Sequence, residues 1–205
     1  MTFRSLPAAL LLAALAACGD STPQYLVETR PTDVQVRARV STLLVRTVSL
    51  PTYAADQKIA VQTESGSVQA TDFGLWADEP ERATTLSITR NLNTMTSAKV
   101  APEPWPLPEP AQGVLDIRIE TFIATKDNTF RAAGQYFMGS VTPDPIEDPD
   151  DPDKPPRVLS APLPDKAKLF DIVIPFSART PAAIAAAQTA ALSQLSEQIA
   201  RDLAR

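Results

Sequence analysis

Residues 114–141 read VLDIRIETFIATKDNTFRAAGQYFMGSV, and this stretch decides the fold. Apolar and polar residues alternate over residues 114–124 and again over residues 130–141. Successive side chains of a strand point to opposite faces, so the alternation predicts two strands that each bury one face. The turn-forming residues KDN at 126–128 join them, which predicts an antiparallel pair.

Similar patterns on both sides of this pair predict the rest of the fold. Further strands are expected at residues 24–29, 34–41, 43–50, 58–63, 67–71 and 168–177. The sequence DEPE at 78–81 is typical of a helix start with a capping acid, and that helix is expected to end near Met95. Thr180 and Pro181 predict the start of a second helix. Its predicted apolar stripe consists of Ile184, Leu192, Leu195, Ile199 and Leu203. We therefore expect a single α/β or α+β domain, with a mixed, largely antiparallel sheet packed by two main helices.

Composition excludes several kinds of chemistry. The chain of 205 residues contains no histidine and one cysteine. Histidine-dependent triads, disulfide frameworks and thiolate metal clusters are therefore excluded. The formal net charge of −5 leaves no basic excess to neutralise phosphates, so nucleic acid is not an expected partner.

Prolines and acidic residues concentrate in two segments that are predicted to be loops. Five prolines lie in a segment at 101–111, and proline disfavours helix in the residue before it. The second segment, 142–157, combines prolines with acids. Its acids are Asp144, Glu147, Asp148, Asp150, Asp151 and Asp153. Calcium binding there is not favoured, because the EF-hand spacing and glycine are missing.

The N-terminus has the features of a secretory signal at residues 1–17. Arg4 supplies a positive charge, and residues 6–17 contain only Leu, Ala and one Pro. As a helix this run would span about 18 Å, which is too short for a hydrocarbon core of about 30 Å.

The end of this signal resembles the lipobox of bacterial lipoproteins. Leu15-Ala16-Ala17-Cys18 places small residues before a cysteine. The resemblance implies cleavage between Ala17 and Cys18 and acyl chains on Cys18, with a mature domain at 18–205. An ordinary signal peptide with a chance cysteine is the alternative. Gly19 stands where lipoproteins kept on the inner membrane often carry aspartate, so the resemblance favours the outer membrane.

The order of the motifs after Cys18 resembles the PqiC-like family of auxiliary lipoproteins of ABC-type and MCE-type transporters. The residues that carry this resemblance are Tyr25-Leu26-Val27, VRTVSLPTY at 45–53, KIAVQT at 58–63 and WADEP at 76–80. A hairpin and a C-terminal amphipathic helix follow, as in the family. The resemblance covers residues 24–205, and its motifs are structural rather than catalytic.

The resemblance implies a non-catalytic tethering protein of the cell envelope. Its expected partners are the membrane, through the lipid anchor, an MCE-domain (PqiB-like) protein, and ABC or permease subunits. A homo-oligomer is also compatible with this role. The alternative is a general envelope lipoprotein that binds outer-membrane assembly or cell-wall components.

Five residues are candidates for partner or subunit contacts. Pro51 and Tyr53 either end a strand or lie on such a contact, and Trp76 is a core residue or a contact platform. Trp105 and Leu107 lie in the proline segment, where a stiff polyproline-like chain would present them outwards. A rigid connector between elements is the other reading of that segment.

No catalytic site, metal site or cofactor is predicted. Without histidine, a hydrolase would need a Ser-Lys or a carboxylate pair. Asp116 and Glu120 share one strand face, but these are the ordinary exposed positions of an alternating strand.

Overall fold

The computed structural model of the protein describes residues 22–30, 32–140, 145–147 and 155–205. These residues form eight strands and two helices in an α+β arrangement, as predicted. The strands are β1 (Gln24–Tyr25), β2 (Thr42–Val45), β3 (Lys58–Gln62), β4 (Val68–Trp76), β5 (Lys99–Pro102), β6 (Gly113–Ala124), β7 (Thr129–Gly139) and β8 (Lys166–Pro175). The helices are α1 (Pro80–Met95) and α2 (Pro181–Leu203), and a 3-10 turn spans Thr52–Ala54.

The predicted hairpin of β6 and β7 lies at the centre of the sheet. Its antiparallel register runs from Val114 opposite Gly139 to Ala124 opposite Phe130. Asn128 adopts a φ of 55° in the connecting turn, a left-handed conformation that asparagine tolerates well. β8 then pairs antiparallel with β7 and forms one edge of the sheet among the described strands.

The other edge of β6 is shared by two groups of strands. Near its start β6 pairs in parallel with β2, which also holds β5, and at its end it pairs with β3. β3 continues through β4 to β1. The order is therefore β8-β7-β6, after which the sheet divides into β2-β5 and β3-β4-β1.

Between the two groups, single residues satisfy the backbone of β6. Ser49 N donates to Ile117 O (3.1 Å), and Ile119 N donates to Ser49 O (2.9 Å). Phe122 N donates to the hydroxyl oxygen of Tyr53 at 3.2 Å. A buried backbone group without a partner is costly, so these contacts keep β6 intact where no neighbouring strand reaches it.

Both helices pack on one face of the sheet and enclose the core. Leu115, Ile117 and Ile119 of β6 are buried on this face. All five residues of the stripe predicted for α2 are buried as well. Thr180 caps α2 as predicted, because its side chain accepts a hydrogen bond from Ala183 N at 3.3 Å.

Helix α1 differs from its prediction in two respects. The N-cap position is Glu79, which makes no side-chain capping bond, whereas Asp78 accepts from Glu79 N at 2.9 Å and forms an ion pair with Arg82. The buried face of α1 also includes polar residues, among them Asn91, whose side-chain amide donates to Ser196 Oγ of α2 at 3.2 Å.

Residues 34–41 do not form the predicted strand. Side-chain burial alternates along them, but only one bridge forms, between Val36 and Thr96. Their backbone bonds the helix ends instead: Val36 N donates to Met95 O, and Arg39 N donates to Leu203 O, each at 2.9 Å. The alternation therefore predicted an extended chain correctly. The hydrogen-bond partners of this extended chain are free carbonyl groups at the helix ends rather than a neighbouring strand.

The loops and short strands also differ in extent from the prediction. The strand expected at 24–29 is limited to β1, and the one expected at 43–50 ends at Val45. In the acidic segment, Ile146 and Arg157 form an antiparallel bridge with N–O distances of 3.0 and 2.8 Å. The acidic residues other than Glu147 lie outside the described residues.

Tyr136 of β7 connects the sheet to the end of α2. Its side chain is buried, and its hydroxyl donates to Asp202 Oδ2 at 2.7 Å. Burial, together with this hydrogen bond, raises the pKa of Tyr136 well above its usual value near 10. Above pH 10 the unfolded chain therefore releases a proton that the folded protein keeps.

This difference predicts a loss of stability at alkaline pH that Tyr136→Phe should reduce. Since the folded state binds more protons above pH 10, the free energy of unfolding should fall by about 1.4 kcal/mol per pH unit through this group. Urea unfolding between pH 10 and 11.5 should show the steeper fall in the unmodified protein. Tyr25→Phe is the control, because the Tyr25 hydroxyl has no hydrogen bond within the described part of the chain. Equal slopes in the unmodified protein and Tyr136→Phe would contradict the assignment.

Gly134 provides a second test of the central hairpin. A Cβ at this position would lie 2.2 Å from Arg118 O, where a register shift interrupts the β6–β7 ladder. Gly134→Ala should therefore lower the free energy of unfolding by more than about 3 kcal/mol, since backbone must move. Gly66→Ala is the matched control: its φ is +86° but nothing lies within 4 Å, so strain of about 1–2 kcal/mol is expected. Equal costs in a denaturant titration would show that the hairpin accommodates a side chain at Gly134.

Candidate functional site: the open face of the sheet

The face of the sheet opposite the helices carries the residues that are free to meet a ligand or partner. Strand alternation that buries Leu115 and Ile117 turns Val114, Asp116 and Arg118 to this open face. On β7 and β8 the same alternation assigns Phe137, Ala167, Leu169 and Val173 to it.

A groove of about 640 Å³ lies on this face where β7 ends and β8 begins. We call it the open-face groove. Its lining residues are Arg46, Val114, Asp116, Arg118, Phe137, Met138, Gly139, Ser140, Asp165, Lys166 and Ala167. Phe137 lies directly opposite Asp116 on β6 and Ala167 on β8, so it forms the middle of the floor.

Three of the five charged side chains of the groove, Arg46, Asp116 and Arg118, form a connected set on one side of this floor. Arg118 donates to both oxygens of Asp116, with Nε and a terminal nitrogen at 3.3 and 3.0 Å. A terminal nitrogen of Arg46 lies 3.6 Å from the same carboxylate. The Arg118 guanidinium also stacks over the ring of Phe137, 5.1 Å from its centroid. Two guanidinium groups share one carboxylate, which leaves a positive charge in excess beside an apolar floor.

The accessible side of this cluster belongs to the arginines. The side chains of Arg46 and Arg118 are 54% and 56% exposed, whereas that of Asp116 is 19% exposed. Each guanidinium has five N–H donors, so both retain donors directed away from Asp116. Asp165 and Lys166 lie at the end of the groove where β8 begins, and the Lys166 ammonium donates to Asp202 O at 2.5 Å. The lining therefore carries three cationic and two anionic side chains, which leaves one positive charge in excess.

Further along the same face, β8 presents an exposed apolar stripe, Leu169 and Val173. Leu169 is 84% exposed, the highest value among the exposed large apolar residues of the described chain, and Val173 is 51% exposed. Asp171 lies between them and accepts two hydrogen bonds from Arg131 of β7, at 2.9 and 2.7 Å. Within the described chain β8 pairs only with β7, so its outer edge also presents backbone groups.

Three of the five candidate contact residues lie in the core or at its edge. Trp76 is buried at the end of β4, which agrees with the core alternative. Pro51 precedes the 3-10 turn, and its carbonyl accepts from Ala54 N at 2.8 Å. Tyr53 is half-buried and holds Phe122 N of β6. Trp76 is therefore a core residue, whereas Pro51 and Tyr53 lie half-buried at the edge of the core.

The proline segment does not present both of its apolar residues outwards. Trp105 is half-buried, and its indole nitrogen donates to Glu109 O at 2.7 Å. The segment therefore folds back on itself instead of extending as a polyproline helix. Leu107 is 42% exposed.

Asp116 and Glu120 do not form a carboxylate pair. Asp116 is held by Arg118 and Arg46, while Glu120 accepts from the side-chain amide of Gln135 at 3.3 Å. Among the described residues no three His, Cys, Asp or Glu side chains are grouped to hold a metal ion. No described helix has the length and apolarity needed to cross a bilayer. Ala17 and Cys18 lie outside the described residues.

Sequence reasoning missed Arg46, Phe137 and the β8 stripe as candidates for binding. One signal for the stripe was present, because β8 is apolar in both phases of its alternation: Phe170 and Ile172 in one, Leu169 and Val173 in the other. A strand that is apolar on both faces is typical of burial on both sides. In this chain the second face is open, and that combination marks a surface for association.

Solved structures with the same fold support the architecture. A crystal structure of an uncharacterized protein matches with a TM-score of 0.64 at 15% identity, over 89% of this chain and 98% of the other. A crystal structure of a DUF330-family protein from Xanthomonas campestris has a TM-score of 0.54 at 21% identity, over 87% and 90% of the two chains. No curated protein matches the sequence.

The family of the chain follows from its sequence across the described sheet and helices. Residues 25–200 match the family described as the ABC-type transport auxiliary lipoprotein component. The matched region begins in β1 and ends within α2, so it includes all of the sheet except Gln24, and both helix starts. The protein therefore belongs to the ABC-type transport auxiliary lipoprotein family, as its PqiC-like motifs had indicated.

Proposed function

We propose that the protein is a lipid-anchored, non-catalytic subunit that tethers an ABC/MCE-type lipid transporter to a membrane of the cell envelope, with the outer membrane favoured. The family match over residues 25–200 is the observation that carries this proposal. An auxiliary component needs a membrane attachment and a surface for its transporter. The lipobox at Cys18 and the open face of the sheet are the features of this chain that suit those two needs.

The anchor in this proposal is a set of acyl chains on Cys18. Cys18 is the single cysteine of the chain, and it stands directly after the small residues Ala16 and Ala17. Each buried methylene contributes about 0.8 kcal/mol, so two or three acyl chains hold a protein on a membrane durably. The mature domain, 18–205, would then remain attached at its N-terminus.

The contact surface in this proposal is the β8 stripe, and its occupant is the periplasmic MCE-domain subunit of the transporter. Leu169 and Val173 are aliphatic and strongly exposed, and the ion pair of Asp171 with Arg131 lies beside them on the same face. An apolar centre with a polar rim is typical of protein interfaces. A second copy of this chain is the competing occupant of the same stripe.

A non-catalytic role agrees with the placement of the acidic residues considered for hydrolysis. Asp116 is bound by two arginines, and Glu120 by an amide. Neither carboxylate is arranged with the other as an acid and base pair. Energy for transport would be supplied by the ABC subunits in this proposal.

The anchor predicts opposite outcomes for two substitutions at adjacent residues. Cys18→Ser removes the sulfur that carries the lipid, so the variant should be released from membranes or remain unprocessed. Gly19→Asp keeps the cysteine and should stay membrane-bound, but it should shift towards the inner membrane in a sucrose-gradient fractionation. Retention of Cys18→Ser on membranes after a carbonate wash would refute the lipid anchor.

The β8 stripe predicts a selective loss of partner binding. The Leu169→Ser and Val173→Ser double variant removes exposed apolar area and should weaken binding to the purified MCE-domain protein at least about tenfold, because exposed aliphatic anchors contribute about 1–2 kcal/mol when buried. Both residues are exposed, so the fold should be unaffected. Leu107→Ser is the matched control, from the proline segment, and should bind normally.

Two other outcomes would contradict this assignment. If Leu107→Ser alone lost binding, the proline segment would be the contact. If the double variant kept its MCE partner but lost self-association in light scattering, the stripe would be occupied by a second copy of the chain.

A further inference from the structure

The open-face groove combines three features that together define the chemistry of a ligand. It has an excess positive charge from Arg46 and Arg118 around Asp116, an apolar floor of Val114, Phe137 and Ala167, and a volume of about 640 Å³. Ligand sites in proteins are typically 300–1,000 Å³, mostly apolar, with a few polar groups that fix orientation. The groove fits this description, whereas the β8 stripe is an exposed strip without a cavity.

We propose that this groove binds a single-chain anionic amphiphile, with its acidic head on Arg46 and Arg118 and its chain along the apolar floor. The inference concerns a site that is separate from the proposed anchor and that adjoins the proposed partner contact at Leu169. It depends only on the described residues of β6, β7 and β8 and on Arg46.

The head-group position follows from the donors that Asp116 leaves free. Arg118 uses Nε and one terminal nitrogen for Asp116, and Arg46 approaches the same carboxylate from 3.6 Å. Their remaining N–H groups face solvent on half-exposed side chains. A phosphate or carboxylate there would accept charge-assisted hydrogen bonds from both guanidinium groups and neutralise the charge in excess.

The chain position follows from the strand register. Val114, Phe137 and Ala167 come from three adjacent strands. Phe137 is opposite Ala167 on β8 and Asp116 on β6, and Val114 lies two residues before Asp116 on the same face of β6. Beyond Ala167 on the same face of β8 lies Leu169, which is 84% exposed. An acyl chain lying from Arg118 across Phe137 would therefore meet a continuous apolar path. A polar anion would leave this path exposed to water.

Asp116 allows a test in which a substitution strengthens ligand binding, beside those in which substitutions weaken it. Its carboxylate competes with an anionic ligand for the same two arginines. Asp116→Asn keeps the shape of the side chain but removes the charge, so both guanidinium groups become available to a ligand. A substitution that merely damaged the fold would weaken binding instead.

The experiment measures binding of decyl phosphate to the full-length lipidated protein in phosphatidylcholine nanodiscs by equilibrium dialysis, with empty nanodiscs to subtract partitioning. Arg46→Gln and Arg118→Gln should each weaken binding about fivefold or more, and Asp116→Asn should strengthen it about threefold, because charge-assisted contacts are lost or released. Arg131→Gln is the matched control and should bind normally, since Arg131 lies on the same face but pairs with Asp171 outside the groove.

Four probes separate the possible ligands. Decyl phosphate and decanoate distinguish a phosphate head from a fatty-acid head, and binding of either supports the proposal. If inorganic phosphate bound as tightly as decyl phosphate, the groove would be a site for small anions, and the proposal of an amphiphilic ligand would be wrong. The proposal would also be wrong if decyltrimethylammonium, a cationic amphiphile, bound as tightly as the anions. Weaker binding of decyl phosphate by Asp116→Asn would contradict it as well. Membrane association of the protein is recorded in the same samples, so loss of the proposed anchor is distinguished from loss of this ligand site.

Discussion

The backbone of β6 is the constraint on which the rest of the structure depends. One edge of this strand pairs with β7 along nearly its whole length, and the other edge is divided between β2 and β3. Between those two strands, Ser49 and the Tyr53 hydroxyl satisfy the groups that no neighbouring strand reaches. Because one strand holds both halves of the sheet, a disturbance at its ladder, as at Gly134, affects the whole fold.

The position of β6 also determines which surface is available for function. Its alternating sequence buries Leu115, Ile117 and Ile119 under the helices and turns Val114, Asp116 and Arg118 outwards. Both described helices cover the inward face of the sheet, and no described helix covers its outward face. The open-face groove and the β8 stripe both lie on this face, so ligand binding and partner contact in our proposals use one surface at two adjacent places.

Much of the fold could be predicted from local patterns. The β6–β7 hairpin, both helix starts and the buried stripe of α2 follow from alternation, turn residues and 3.6-residue periodicity, and the structure confirms them. Residues 34–41 differ because alternation reports an extended, half-buried chain and not its hydrogen-bond partner. That partner proved to be the ends of α1 and α2, which only tertiary structure brings near.

The candidate site was less predictable, for a physical reason. Aromatic residues suggested contacts at Trp76 and Trp105, yet the first is buried and the second bonds within its own loop. The groove depends on Arg46, Asp116 and Phe137, which come from distant parts of the chain and meet only through the sheet register. The sequence of β8 shows that its residues are apolar on both faces. Which of these faces is exposed depends on where the helices pack, and the sequence of the strand does not contain that information.

The central claim is that the open face of the sheet is the surface that meets the transporter. Site-specific photocrosslinking in living cells tests it most directly, with a photoreactive residue in place of Leu169 and, separately, in place of Leu107 as the reference. The account predicts a crosslink to the MCE-domain subunit from position 169 and none from position 107. A crosslink to that subunit from position 107 alone would contradict it.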